Sequence, residues 1–169
     1  MGLTKEISTE YMTNEALQQL ISKWIPDKLE SELEFVEEGS QYLNILVQPA
    51  DLQVLMSELK NNKDTSLNYL FCLTGMDWGE ELGVVYHLES TIHRHIIVVK
   101  VKTSDRENPT LDTMCTLWRT AEFHEREVFD FFGIKFNNHP NLKRLFLTED
   151  WDGFPLRKDY EDPINMVIK

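Results

Sequence analysis

The sequence predicts an α+β fold: a mixed, largely antiparallel sheet with helices packed on it, then a helical segment and an extended C-terminal tail. Three observations support this class. With 169 residues, 41% of them hydrophobic, the chain can bury the core of one domain. The predicted elements in its first hundred residues are, in order, a helix, two strands, a helix and three strands. The links between the last three strands are short, which favours antiparallel neighbours. From residue 137 onward, frequent Pro, Gly, Asn and Asp favour irregular structure.

Both early helices are predicted from apolar residues at helical spacing. The first helix follows the capping candidates Thr13 and Asn14 and stops before Pro26. Its stripe consists of Leu17, Leu20, Ile21 and Trp24. The second helix opens at residue 49 and closes at residues 61–63. Its stripe consists of Leu52, Leu55, Met56 and Leu59.

Strands are predicted where β-branched and aromatic residues cluster or alternate. One or two further helices are expected between residues 113 and 132. We divide the chain into an α+β domain, residues 1–136, and an extended partner-binding tail, residues 137–169. The predicted strands are 33–37, 41–47, 67–76, 84–89 and 92–102.

Composition excludes several classes of protein. A net charge of −12 and a pI near 4.8 argue against nucleic-acid binding, which needs a basic face. No apolar run reaches the roughly 18 residues of a membrane span, and the N-terminus lacks the apolar core of a secretory signal, so a soluble cytoplasmic protein is expected. Cys72 and Cys115 are too few to ligate an iron–sulfur cluster or build a Cys-rich zinc site, and we expect reduced core cysteines.

Motifs for self-contained catalysis are incomplete. His124 and Glu125 begin like the H-E-x-x-H zinc motif, but Val128 stands at the second ligand position. His93 and His95 would project from one face of a predicted strand, either as a metal pair or as two polar residues on a partly exposed strand. No dinucleotide or phosphate loop and no recognisable nucleophile context is present.

The C-terminal part is unusually aromatic for an irregular segment. Residues 118–160 hold ten of the 18 aromatic residues, whereas disordered segments are poor in them. Such side chains must be buried against their own domain or against a partner, and both remain open. Basic residues interleaved with them suit an Arg-and-aromatic contact surface. These are Lys135, Lys143, Arg144, Arg157 and Lys158.

Ionisable residues are most concentrated at positions 125–130. On a helix, Arg126 lies one turn from both Glu122 and Asp130, so i, i+4 pairing could account for much of the cluster. Glu125 shares a face with apolar residues and needs a charged or hydrogen-bonding partner. A structural ion-pair network, a partner-binding site and acid–base chemistry all remain possible here. Glu127 belongs to the same cluster.

Three ordered blocks resemble one family. Residues 125–134, EREVFDFFGI, are similar to the E-R-E-x-x-D-x-x-G-I signature of the C subunit, or 30 kDa subunit, of respiratory complex I. Residues 139–145, HPNLKRL, resemble its H-P-D-L-R-R-L block, and residues 149–160, EDWDGFPLRKDY, resemble D-D-W-E-G-H-P-L-R-K-D-Y. Two of the departures are Phe123 for a usual Trp and Phe154 for a usual His, which affect contact geometry more than identity.

This resemblance implies a subunit of proton-translocating NADH-quinone oxidoreductase. It implies a place in the peripheral arm on the cytoplasmic side of the bacterial cell membrane, beside the D and B subunits. Electrons would pass from NADH through FMN and iron–sulfur clusters of partner subunits to quinone. This chain would hold no cofactor, no metal and no catalytic residue, and would have no activity alone.

Other assignments stay open beside it. Membrane-bound hydrogenases and other donor-fed quinone reductases use a similar subunit. Small metal-dependent hydrolases and general adaptors are alternatives of a different class.

The tail is expected to dock on a partner subunit, with Arg157 clamping a partner carboxylate in two-point geometry. Without that partner we expect it to be mobile or packed on a neighbouring copy. The partner-interface candidates are Glu125, Arg126, Glu127, Asp130, His139, Arg144, Trp151, Arg157, Lys158, Asp159 and Tyr160.

Overall fold

The computed structural model describes residues 12–162. Residues 1–11 of the predicted α+β domain and residues 163–169 of the predicted tail lie outside the described residues. Most of the N-terminal stretch in which no secretory signal was found belongs to the first of these ranges. Single 3₁₀ turns at Pro26–Lys28 and Pro49–Asp51 accompany the regular elements. These are α1 Asn14–Trp24, β1 Glu34–Val36, β2 Leu43–Val47, α2 Leu52–Asn61, β3 Tyr69–Asp77, β4 Leu82–Glu89, β5 Ile96–Thr103, β6 Thr110–Asp112, α3 Ala121–Phe132 and β7 Lys135–Asn137.

Five strands form one sheet in the order β1-β2-β5-β4-β3. Only β2 and β5 run parallel, and the other neighbours are antiparallel. The predicted α+β class with a mixed, largely antiparallel sheet is therefore confirmed. A second sheet pairs β6 with β7 in parallel and was not predicted.

Both early helices follow their apolar stripes. Thr13 caps α1 by accepting a hydrogen bond from the Ala16 amide, and Leu17 and Ile21 are buried. Each of the four apolar residues predicted for α2 is fully buried. The helices thus cover the sheet on the side where the hydrophobic core lies.

One face of the sheet supplies the core. Ile45, Val99, Tyr86 and Leu73 stand in register across four adjacent strands, and all four are buried. The opposite face carries more polar residues. Both cysteines of the chain are free and half-buried. Cys115 packs against the core, whereas a core position for Cys72, on the opposite face of β3, was a wrong prediction.

The last strand of the sheet begins later than predicted. Arg94 adopts a positive φ of 61° and donates its amide to Ser90 O, so the backbone turns before β5 starts. His93 and His95 consequently lie in this turn, where their rings stack 5.7 Å apart. They are not neighbours on one face of a strand, and the geometric argument for a histidine metal pair was wrong.

The signature segment forms a single helix, α3, packed on β3. It ends at Gly133, whose φ of 72° is left-handed and whose amide donates to Phe129 O. Within residues 12–162, no helix combines the length and apolarity needed to cross a bilayer.

Candidate partner-binding region

Glu125 is one of two fully buried carboxylates of α3, and Asp130 is the other. Its Oε1 accepts the Met114 amide at 2.6 Å, and its Oε2 accepts the Thr113 hydroxyl at 2.5 Å and the Cys115 thiol at 3.4 Å. The predicted need for hydrogen-bonding partners is confirmed. Burial raises the pKa of Glu125 to about 7, against the opposing effect of these donors.

Cys115, Glu125 and His139 form the one group within residues 12–162 whose donor atoms suit a metal, all lying within 4.8 Å of one another. His139 Nε2 is 3.9 Å from a Glu125 oxygen. However, the Asn141 amide donates to His139 Nδ1, so the ring proton is on Nε2, which donates to Glu122 O at 3.0 Å. Both imidazole nitrogens are therefore already used.

Arg126 points to the tail and not along its own helix. Its Nε donates to Lys143 O at 3.1 Å and one terminal nitrogen donates to Arg144 O at 2.9 Å. The guanidinium also lies over the Phe123 ring, 5.5 Å from its centroid. The i, i+4 ion pairs of Arg126, one of the alternatives left open by the sequence, are absent from the ion pairs of residues 12–162.

Asp130 shapes the first turn of the tail. One of its oxygens accepts three successive amides, those of residues 145, 146 and 147, at 3.0, 2.7 and 3.0 Å. The other oxygen accepts from Arg144 at 3.0 Å. Burial opposes ionisation, but these four donors outweigh it and hold the pKa of Asp130 below its usual range.

Arg144 extends this centre along the tail. It donates to the backbone carbonyls of Asp130, Trp151 and Gly153 in addition to the Asp130 carboxylate. Its side chain also lies over the Phe154 ring, 5.4 Å from the centroid. A single arginine therefore ties α3 to residues 151–154.

Asp77 and Arg106 hold the end of the tail, and sequence reasoning missed both. Arg106 donates to both Asp77 oxygens, at 3.0 and 2.9 Å, and also pairs with Asp159 at 2.8 Å. The Lys158 amide donates to Asp77 at 2.9 Å. Arg106 holds the pKa of Asp77 far below its usual range. No spacing signal could have found this pair, because its members are 29 residues apart.

Arg157, which was expected to clamp a carboxylate of a partner subunit, makes its described hydrogen bonds within this chain, and the partner clamp stays a prediction. Its Nε donates to Phe132 O at 2.6 Å and one terminal nitrogen donates to Arg106 O at 2.9 Å. The guanidinium lies over Phe154, 4.7 Å from the ring centroid. A Cβ at Gly133 would stand 2.4 Å from the same ring, so glycine lets the tail approach.

The structure therefore divides the predicted interface candidates. Through residue 162 the tail packs on its own domain, with no neighbouring copy required. Tyr160 approaches Gly153, and its ring would lie 2.8 Å from a Cβ there. The internal set is Glu125, Arg126, Asp130, His139, Arg144 and Arg157. The exposed set is Glu127, Trp151, Lys158 and Asp159.

The fold is an α+β sheet domain whose C-terminal tail is held against it by arginine side chains. The described architecture matches a chain in the structure of the membrane-bound sulfane sulfur reductase, an archaeal respiratory membrane complex, with a TM-score of 0.69. That match covers 87% of this chain and 84% of the other at 22% identity, so it shows that the two chains share a fold.

The family model described as "Respiratory-chain NADH dehydrogenase, 30 Kd subunit" matches residues 45–163, and the chain belongs to this family. The C subunit of NADH-quinone oxidoreductase from Roseiflexus castenholzii is 41% identical over 80% of this chain and 76% of its own length. The C/D chain of the same enzyme from Phocaeicola vulgatus is 54% identical over 63% of this chain. The matched region spans only 21% of that C/D chain.

Proposed function

We propose that this chain is a peripheral-arm subunit of a proton-translocating NADH-quinone oxidoreductase and that it has no redox centre of its own. Family membership over residues 45–163 carries this proposal. The signature residues support a structural role, because Glu125, Arg126 and Asp130 make hydrogen bonds to the loops and tail around α3 in the same chain.

We assign the D and B subunits as partners, on the cytoplasmic side of the membrane. The C/D relatives support the first of these, because their names join a C part and a D part in one polypeptide. Covalent joining keeps two domains at high effective concentration and favours a contact between them. FMN and iron–sulfur clusters would belong to partner subunits, and this chain alone would oxidise no NADH.

Deletion of the gene in its own organism tests the proposal. We expect membranes to lose NADH-dependent quinone reduction and the D and B subunits to leave the membrane-bound complex, with both restored by the wild-type gene. Retained NADH-dependent quinone reduction with normal D and B assembly would refute the assignment.

A second function follows from the structural match. The related fold occurs in a membrane-bound sulfane sulfur reductase complex, so an equivalent subunit of a hydrogenase or another donor-fed reductase is the alternative. Activity assays on membranes of the deletion strain distinguish the two assignments. Loss of hydrogen- or ferredoxin-dependent activity, with NADH oxidation intact, would favour this alternative.

A further inference from the structure

The charged signature residues leave an apolar surface exposed around the end of α3. Phe131 and Phe146 stack with centroids 5.6 Å apart and planes 8° from parallel. Phe146 is 64% exposed and Leu156 is 54% exposed. The Leu156 amide donates to Phe131 O at 3.2 Å, which places Leu156 beside the stacked pair. We call Phe131, Phe146 and Leu156 the aromatic patch.

The backbone beneath this patch is held in place from inside. Asp130 accepts the Phe146 amide at 2.7 Å, together with the amides on either side of it. Arg144 braces the same carboxylate at 3.0 Å. A large apolar side chain on a fixed backbone loses little conformational entropy when a partner covers it, which is typical of an interface anchor.

We propose that the aromatic patch is the docking surface for a D-type chain, and that the buried charged signature residues act by presenting it. This inference rests on the proposed function and names the contact surface within it. The occupant is chosen from the C/D relatives, since a D-type region is attached to this domain there. Both Phe146 and Leu156 lie within the family-matched region.

A second exposed apolar surface gives a matched comparison. Tyr69 is 46% exposed on β3, and Ile92 is 66% exposed in the turn between β4 and β5. Thr91, next to Ile92, hydrogen-bonds Asn68 at the start of β3, whereas the Lys158 amide binds Asp77 at its end. The two ends of β3 are nine extended residues, or about 25 Å, apart. Ile92 and Tyr69 lie at its start, and Leu156 of the aromatic patch lies near its end, so neither comparison residue belongs to the patch.

The experiment uses the full-length tagged chain co-expressed with the D subunit of its own organism. The variants are Phe146→Ser, Leu156→Ser, Tyr69→Ser and Ile92→Ser, and the dissociation constant is measured for each purified, folded chain. We expect Phe146→Ser and Leu156→Ser each to weaken D binding by about tenfold to a hundredfold. Tyr69→Ser and Ile92→Ser should stay within about threefold of wild type.

Several outcomes would overturn the patch assignment. One is wild-type binding of D with Phe146→Ser and Leu156→Ser both within threefold. Another is loss of binding in Tyr69→Ser, which would move the interface to β3. A wild-type dimer that Phe146→Ser abolishes, with D binding unchanged, would assign the patch to a second copy. Failure of the wild-type chain to bind D at all would instead refute the partner assignment of the proposed function.

Discussion

Asp77 and Arg106 make a two-point ion pair, with oxygen to nitrogen distances of 3.0 and 2.9 Å, at the place where the tail returns to the sheet. The Asp77 side chain is 2% exposed and that of Arg106 is 21% exposed. The same carboxylate accepts the Lys158 amide, 81 residues away in the chain. This pair therefore joins the end of β3, the loop after β5 and the tail.

Arg106→Ala should destabilise the fold by about 2–4 kcal/mol, because it leaves the buried Asp77 carboxylate without its counter-charge. Denaturant unfolding at neutral pH measures this. Arg94→Ala is the matched control, since Arg94 is 57% exposed and pairs with Glu89 at 3.4 Å. It should cost under about 1 kcal/mol. Equal losses in both variants would contradict a special role for Asp77 and Arg106.

Acid should weaken the same contact in the wild-type protein. The folded pKa of Asp77 lies below its usual value, chiefly because of the Arg106 hydrogen bonds. A depressed carboxyl pKa stabilises the fold above the unfolded pKa, near 3.9, and this stability is lost as pH falls below it. Asp77→Asn should therefore have a smaller loss of unfolding free energy between pH 5 and acid than wild type. An equal loss of unfolding free energy in Asp77→Asn and wild type between pH 5 and acid would contradict this prediction.

Arg157→Ala should loosen the tail in the isolated chain, because the contacts described for this side chain lie within the chain. The substitution removes the donors to Phe132 O and Arg106 O and the cation over Phe154. We expect a cost of about 1–3 kcal/mol for the unpaired carbonyls. Faster hydrogen exchange of the Leu156 and Lys158 amides would locate the change.

Lys158→Ala is the control for this experiment. The Lys158 side chain is exposed, while the contact it makes with Asp77 uses the backbone amide that the variant keeps. Its tail amides should exchange as slowly as those of wild type. If Arg157→Ala also leaves exchange and stability unchanged, the internal role of Arg157 is refuted.

Local features of the fold could be predicted from the sequence. Leu17 and Ile21 repeat at the period of a helix, and Thr13 offers a cap, so α1 needed no distant information. The two three-residue strands β6 and β7 give too short a pattern to detect. The turn at Arg94 was missed because a positive φ there depends on its surroundings and not on its residue type.

The site could be predicted in part. Burial of Glu125 on the apolar face of α3 required a partner, but periodicity cannot say that residues 113–115 supply it. Arg126 had two acidic residues one turn away and still bonds the tail, because long-range packing places Lys143 O and Arg144 O within reach. The division at residue 137 stays a prediction, although the tail is fastened to the domain at several points.

Stoichiometric metal binding is not expected at Cys115, Glu125 and His139. Metal would have to displace the Glu122 carbonyl from His139 Nε2 and remove a thiol proton whose pKa burial raises to about 12. Chelated and dialysed protein should give no thiolate-to-cobalt absorption on titration with Co²⁺. A one-to-one absorption change that Cys115→Ser removes would contradict this prediction and the assignment of the chain as metal-free.

Glu125→Gln should remove a pH dependence of stability near neutrality. Burial raises the folded pKa of Glu125 from 4.5 to about 7, so the folded state binds more protons between these values. Wild-type unfolding free energy should then fall as pH rises through this range, by about 3 kcal/mol at most. The groups facing the carboxylate are Cys115, His139 and the buried Tyr86 hydroxyl.

A neutral amide can keep the Met114 hydrogen bond and reverse the Thr113 one, and it loses only the long Cys115 thiol contact. In Glu125→Gln the side-chain oxygen would accept the Met114 amide and the side-chain nitrogen would donate to the Thr113 hydroxyl, so the variant should equal wild type near pH 4.5 and exceed it at pH 8. Glu127→Gln changes the same charge at an exposed position of α3 and should shift stability by under about 0.5 kcal/mol at either pH. Unfolding curves measured from pH 4.5 to 8 compare the three proteins. A Glu125→Gln curve parallel to wild type would show that the carboxylate ionises without cost in its buried setting, and the physical account of this centre would then be wrong.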